Sequence, residues 1–295
     1  MRALLCAASL RAVALGIVAS SLTALAQERP LPDAAAFLAE VRKGLQTDEQ
    51  LQSGYTYVET RRQLKLDKSG RSTKETVKVF ESYPGLPGEE ERWERLIAED
   101  GKPLSADELQ KQDRERQKKA QEYVRKLETQ PEKVRREHAR AREKYSREMT
   151  ETLDELFLVY EMRMVGRETI DGHDTIEFAL TPRPHAKPRT RDGKIMKNFN
   201  ARAWISESDY ELARVDVEAI DTVSIGLGLL ARVHKGSRLS FTRRKINDEI
   251  WLPATTTYTA SARIGLVKMM RVGGTSQFSD YRKFTVGTTT TYTTK

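Results

Sequence analysis

A chain of 295 residues has room for one large or two ordinary domains. Its net charge of +8 favours anionic surfaces in general without naming a partner. The single cysteine, Cys6, lies in the N-terminal apolar segment. Disulfides, thiol nucleophiles and cysteine-ligated metals are therefore excluded from the rest of the chain.

Residues 1–26 have the form of a secretory signal peptide. Arg2 and Arg11 make the start positive, and residues 12–25 are an apolar run shorter than the roughly 20 residues a spanning helix wants. Ala24-Leu25-Ala26 is a small-x-small cleavage signal, followed by the polar Gln27-Glu28-Arg29. Cleavage after Ala26 is expected, with no cysteine behind it for lipid attachment. Residues 27–295 are then expected to form one exported, periplasmic domain.

Residues 33–51 read as a helix. Asp33 is a good N-cap, and Phe37, Leu38, Val41, Leu45 and Leu51 lie near one stripe. Three strand-like runs follow, at 55–66, 72–83 and 91–99. They are punctuated by Asp67-Lys68-Ser69-Gly70, Pro84-Gly85 and the turn dipeptide Asp100-Gly101.

Residues 105–157 are charged and glycine-free, and they open with Ser105-Ala106-Asp107-Glu108, the pattern of a capping box. Pro131 breaks this run and opens a second helix. Val134, His138, Ala141, Tyr145, Met149, Leu153 and Leu156 then step by three or four, giving one apolar stripe on a charged cylinder. The segment is read as a helical hairpin inserted in the domain. It is either a solvated pair or a lid or partner-binding element.

From residue 159 the period returns to two. Ile170-Asp171-Gly172-His173 marks a tight hairpin, and Ile176, Phe178 and Leu180 alternate after it. Further strands are expected at 201–205, 212–220, 238–242, 255–264 and 277–286. The order helix, strands, helices, strands points to the α+β class, with helices covering one face of an antiparallel sheet.

Catalytic motifs are not evident. His138, His173, His185 and His234 form neither H-E-x-x-H nor H-x-H, and no G-x-S-x-G elbow, phosphate loop or G-x-G-x-x-G occurs. His173 with Asp171 or Asp174 is the one conceivable acid–base pair, and turn chemistry explains it equally well. The expectation is a non-catalytic protein without metal or cofactor.

Two features rise above this background. One is a pair of apolar, glycine-containing segments that break strict alternation. The first contains Ile225, Leu227, Leu229 and Leu230; the second contains Ile264, Leu266, Met269 and Met270. They are candidates for an adaptable lipid cavity, or else for strands buried on both faces. The other is a proline-interrupted basic run with Arg183, Lys187, Arg189 and Arg191. It is a candidate contact for an anionic membrane surface or an acidic partner, or else a solvated loop. Nucleic acid is not an expected partner of an exported chain lacking an aromatic-lined basic platform.

The hairpins carry a resemblance. Ile170-Asp171-Gly172-His173 running into residues 176–182, Ala203-Trp204-Ile205-Ser206 returning through residues 210–215, and Trp251-Leu252-Pro253 are similar to elements of the lipoprotein-carrier superfamily. That group includes LolA and LolB, which ferry lipoproteins, and the sensor RseB. The resemblance is strongest over residues 159–286. It implies a strongly curved antiparallel half-barrel with helices on its concave side, enclosing an apolar cavity. It also implies a carrier of lipid or lipidated protein, or alternatively an RseB-like sensor that binds an envelope protein. The charged insert is larger than the carriers' pattern leads one to expect, and the family supplies no catalytic residues.

Overall fold

Hairpin turns set the register of the sheet. The structure is a computed structural model that describes residues 29–44, 54–86, 92–225, 231–264 and 268–283. Residues 1–26, expected as a signal peptide, and residues 45–51 of the expected first helix lie outside these. Strands β1 (Tyr55–Leu66) and β2 (Ser72–Tyr83) pair antiparallel. Between them the Asp67 carboxylate accepts from the amides of Ser69 (2.8 Å) and Arg71 (3.0 Å), as Asx turns do. Strands β3 (Trp93–Glu99) and β4 (Lys102–Pro103) reverse at Asp100-Gly101, where φ is 48° and 78°. Strands β5 (Tyr160–Ile170) and β6 (His173–Pro182) reverse at Asp171-Gly172, where φ is 50° and 82°. Both pairs are left-handed at both central residues, which is what a type I′ turn demands.

Helix α1 (Ala34–Gly44) starts where Asp33 Oδ1 accepts from the Ala36 amide at 2.8 Å. Helix α2 (Ala106–Thr129) has the full capping box: Ser105 Oγ accepts from the Glu108 amide, and Glu108 Oε2 accepts from the Ser105 amide. Gln130 ends it, and α3 (Pro131–Val159) begins with proline at its first position. No residue of α2 is buried, and on α3 only Val134, Leu153, Glu155 and Val159 are. The pair is thus solvated along most of its length. It is pinned by the stacked rings of Tyr123 and His138, 5.8 Å apart, and by the Arg95–Asp113 ion pair to β3 at 2.8 Å.

The remaining elements are α4 (Arg191–Met196), β7 (Phe199–Ser206), β8 (Leu212–Ala219), β9 (Val223–Ile225), β10 (Ala231–Val233), β11 (Arg238–Ile246), β12 (Ile250–Ile264) and β13 (Lys268–Lys283). Among the described residues, thirteen antiparallel strands form one sheet in the order β4-β3-β2-β1-β13-β12-β11-β8-β7-β6-β5, with β10 and β9 branching from β12. Its ends, β4 and β5, do not meet. The fold is an open, curved α+β half-barrel. The chain divides at Pro30, and Leu31–Lys295 makes one compact unit. Where residues 183–197 read as a plain loop, the structure has α4, capped by the Thr190 side chain accepting from the Gly193 amide at 3.0 Å.

Alternation sorts the sheet into two chemistries. One face of β5–β8 carries Ile176, Phe178, Leu180 and Ile205, all buried, and packs against Phe37 and Val41 of α1 and Val159 of α3. Each such side chain withdrawn from water is worth roughly 1.5–3 kcal/mol. A second cluster, Tyr55, Ile250 and Leu252, closes the end where β1 meets the β11–β12 hairpin.

Both tryptophans of the resemblance anchor polar braces. The Trp204 indole donates to Glu168 at 2.7 Å, with the Arg214 guanidinium 4.5 Å above its ring. The Trp251 indole donates to Asp209 Oδ2 at 3.0 Å, and Lys245 reaches the same oxygen at 2.8 Å. Burial pushes the Asp209 carboxyl up, but the hydrogen bonds from Lys245, Ser206, Trp251 and the Glu211 amide outweigh it. They hold Asp209 below the usual carboxylate range.

Candidate functional site

The apolar face of β5–β8 is not filled completely. Its floor contains Ala201 and Ala203, the smallest side chains in the lining. A cavity of about 360 Å³ remains, at the lower end of the ~300–1,000 Å³ usual for ligand pockets. Helix α1 contributes Leu38 and Val41, the end of α3 contributes Leu156 and Phe157, and α4 contributes Ile195 and Met196. The roof is fastened by an Arg42–Asp154 ion pair between α1 and α3, with Arg42 also 5.4 Å from the Phe157 ring centroid.

Tyr160 supplies the one polar side chain among the lining residues. Its hydroxyl donates to the carbonyl oxygens of Met196 (2.7 Å) and Phe199 (3.1 Å), so its polar end is used up in holding α4. Burial pushes its pKa up to about 12, and the cavity wall stays uncharged at any physiological pH.

A larger depression of about 840 Å³ adjoins it and shares Leu180, Ala201 and Val217 with the smaller cavity. Asp216, Ser240, Thr257 and Thr275 sit side by side across β8, β11, β12 and β13 there. Ser240 Oγ donates to Asp216 at 2.6 Å, and Arg214 pairs with Asp216 at 2.6 Å. Its lining is mixed, with Leu64, Leu66, Leu239 and Tyr258 beside these polar side chains, whereas the smaller cavity has Tyr160 as its one polar lining side chain. The smaller cavity is therefore the candidate for an apolar ligand.

The residues picked out in the sequence fall in two places. Ile225 and Ile264 end β9 and β12 and are paired on either side of Ala231, so the two apolar segments adjoin. Met269 and Met270 open β13, with Met269 49% exposed. Leu227, Leu229, Leu230 and Leu266 lie outside the described residues. The cavity under α1 is built instead from residues that the alternation had assigned to ordinary core. Arg183, Lys187, Arg189 and Arg191 are all exposed, on the segment that leads into α4.

That segment hangs on Glu155. Although it lies on a charged helix, Glu155 is only 2% exposed, and its Oε1 accepts from the amides of Arg189 (2.8 Å) and Thr190 (3.2 Å). Its Oε2 is buried without a hydrogen-bond partner and occupies the space a side chain at Gly193 would fill.

His173 sets its ring edge-on to Trp251 at 5.2 Å, and Asp171 pairs with Arg244 at 3.3 Å. The structure thus gives His173 a packing role. Among the described residues no cluster of His, Cys, Asp and Glu is arranged to hold a metal ion, and no helix is long and apolar enough to cross a membrane.

Fold and site together define an open antiparallel half-barrel with an apolar cavity between the β5–β8 face and helices α1, α3 and α4. No protein-family model matches the chain, and no curated protein matches its sequence. Solved structures do show similarity. One, described as an outer membrane lipoprotein-sorting protein domain from Vibrio parahaemolyticus, is 11% identical over 85% of this chain and 92% of its own, with a TM-score of 0.32. The LolA superfamily protein NE2245 from Nitrosomonas europaea is 10% identical over 86% and 94%, with a TM-score of 0.23. MucB in the MucA/MucB complex of Pseudomonas aeruginosa is 9% identical over 86% and 100%, with a TM-score of 0.24. With TM-scores this low, ligand and partner are argued from this chain's own residues.

Proposed function

We propose that this protein is an exported, periplasmic carrier that holds lipid, or the acyl chains of a lipidated protein, without catalysing a reaction. The observation that supports it is the cavity between α1, α3, α4 and the β5–β8 face, where Tyr160 brings the one polar side chain and that is already satisfied. Each methylene buried there contributes ~0.8 kcal/mol. A chain segment can therefore be held firmly with no covalent step, and release needs only movement of the roof or a better acceptor.

The test is mass spectrometry of the gently purified protein in native and denatured states, with titration of a fluorescent fatty acid. Extra native mass that extracts as lipid, and saturable uptake by the delipidated protein, are expected. Ala203→Leu fills the cavity floor and should abolish uptake while leaving the circular dichroism spectrum unchanged. A clean apo mass with no uptake would reject the carrier.

One observation favours a second reading, a sensor or interaction module of the envelope. Val124 is 50% exposed and Leu127 36% exposed near the outer end of α2, where the helical pair has no core to cover. A saturable protein partner bound through this end in the absence of lipid would support that reading.

A further inference from the structure

Residues 183–198 form a strap that borders the cavity at its C-terminal end and has two unlike sides. The inner side contributes Ile195 and Met196 to the apolar wall. The outer side carries Arg183, Lys187, Arg189, Arg191, Lys194 and Lys197, all exposed and opposed within the strap by Asp192 alone. None of these six cations makes an ion pair among the described residues. Several arginines on the neighbouring strands are paired instead: Arg202 with Glu177 at 2.9 Å, Arg167 with Glu207 at 2.9 Å and Arg214 with Asp216 at 2.6 Å.

The strap is also well ordered in its bonding. Its backbone is tied at the middle by Glu155 and at the end by Tyr160, and α4 is closed by the Thr190 cap. The positive charges are consequently presented on a fixed frame, with their own counter-ions to be found outside the molecule.

We propose that this strap is the surface by which the protein docks on an anionic bilayer, setting the cavity at headgroup level. Charge complementarity would suit an acidic protein equally well. The bilayer is favoured because the same segment walls the apolar cavity, and a bilayer is the place from which an acyl ligand is taken and to which it returns. The docking stands on the strap's charges. The coupling to acyl transfer rests on the carrier reading. Each Lys or Arg brought to such a surface strengthens binding about fivefold, equivalent to ~1 kcal/mol, and the effect weakens with salt.

The experiment is co-sedimentation of the full mature protein with vesicles of equal parts phosphatidylglycerol and phosphatidylcholine, and with vesicles of phosphatidylcholine alone. Binding to the first and not the second, declining with salt, is expected. Lys187→Gln with Arg189→Gln and Arg191→Gln should weaken it about a hundredfold. The same charge change on α2, Lys111→Gln with Lys118→Gln and Lys119→Gln, should weaken it far less, which separates the strap from net charge.

Fatty-acid uptake without vesicles is measured in parallel. If uptake is absent but vesicle binding and its strap dependence persist, the cavity reading falls and the docking stands. Wild-type protein that ignores anionic vesicles, a strap variant that binds like wild type, or polyglutamate bound in preference to anionic vesicles would each overturn the proposal.

Discussion

Replacing Glu155 by alanine removes the acceptor for two strap amides at once. Hydrogen bonds to a charged group contribute about 1.5–3 kcal/mol each. The two to Arg189 and Thr190 therefore amount to ~3–6 kcal/mol gross. Against this stands the cost of keeping a carboxylate at 2% exposure with one oxygen unpartnered, which for buried charges consumes a large share of the gain. A net loss of about 2–3 kcal/mol follows, or a fall in Tm of about 4–12 °C for a domain of this size.

The loss should be local before it is global. Freed of its tether, the strap opens while the sheet persists, and trypsin finds Arg189, Arg191, Lys194 and Lys197 in reach, Arg183 and Lys187 being protected by the prolines that follow them. When cleavage is limited by the open population, 2–3 kcal/mol corresponds to roughly 30–150-fold faster native-state cutting within the strap. Glu155→Gln keeps an acceptor oxygen and should show a smaller effect in both assays. A Glu155→Ala protein with wild-type Tm and wild-type tryptic half-life in the strap would refute the claim that this carboxylate holds it.

Gly193→Ala puts a Cβ 1.7 Å from Glu155 Oε2, so the carboxylate must move; a loss of about 2 kcal/mol is expected by chemical denaturation, and a smaller one in a Glu155→Ala background, since the two changes act on one contact. Asp209 is held below the usual carboxylate range by its donors. Its contribution is present above the unfolded-state value of about 3.9 and is lost as pH falls through the lower folded value. Asp209→Asn should reduce stability near neutrality by about 1–3 kcal/mol and flatten the acid limb of a Tm-against-pH curve; an unchanged acid limb would remove Asp209 from that role. Tyr160→Phe leaves the Met196 and Phe199 carbonyls without their donor and should cost about 1–2 kcal/mol in urea melts, while the tyrosine absorbance titration near pH 12 should fall to the contribution of Tyr281, which burial also pushes up to about 12.

The local grammar of the fold could be read directly. Asp100-Gly101 and Asp171-Gly172 specify turns because Gly, and to a lesser degree Asp, tolerate positive φ. Ser105 and Glu108 specify a helix start because each satisfies the other's free amide. The helical insert and the β-rich remainder follow from a change of period that any window detects. The cavity could not be read in this way. Ala201 and Ala203 alternate as ordinary inward residues, and only the position of α1, brought in from far along the chain, makes their small size matter. Glu155 was hidden for a similar reason. On a helix dense with carboxylates it looks solvated, and the amides that claim it lie 34 and 35 residues further on. Helix α4 escaped because six residues just after a run of prolines show no period, although Thr190 ahead of it was a usable cap signal.

The pairing of β1 with β13, Thr60 beside Gln277, has a consequence for the order of events in the life of the chain. A chain made N-terminus first delivers β1 and β2 early, but one edge of β1 must wait for nearly the last strand to arrive. Joining segments so far apart carries a large loop-closure cost and slows folding. During that interval the leading hairpin exposes an unpaired edge, a template for aggregation. Slow, late-closing refolding is expected, and a need for protection of the unfinished chain until β13 arrives.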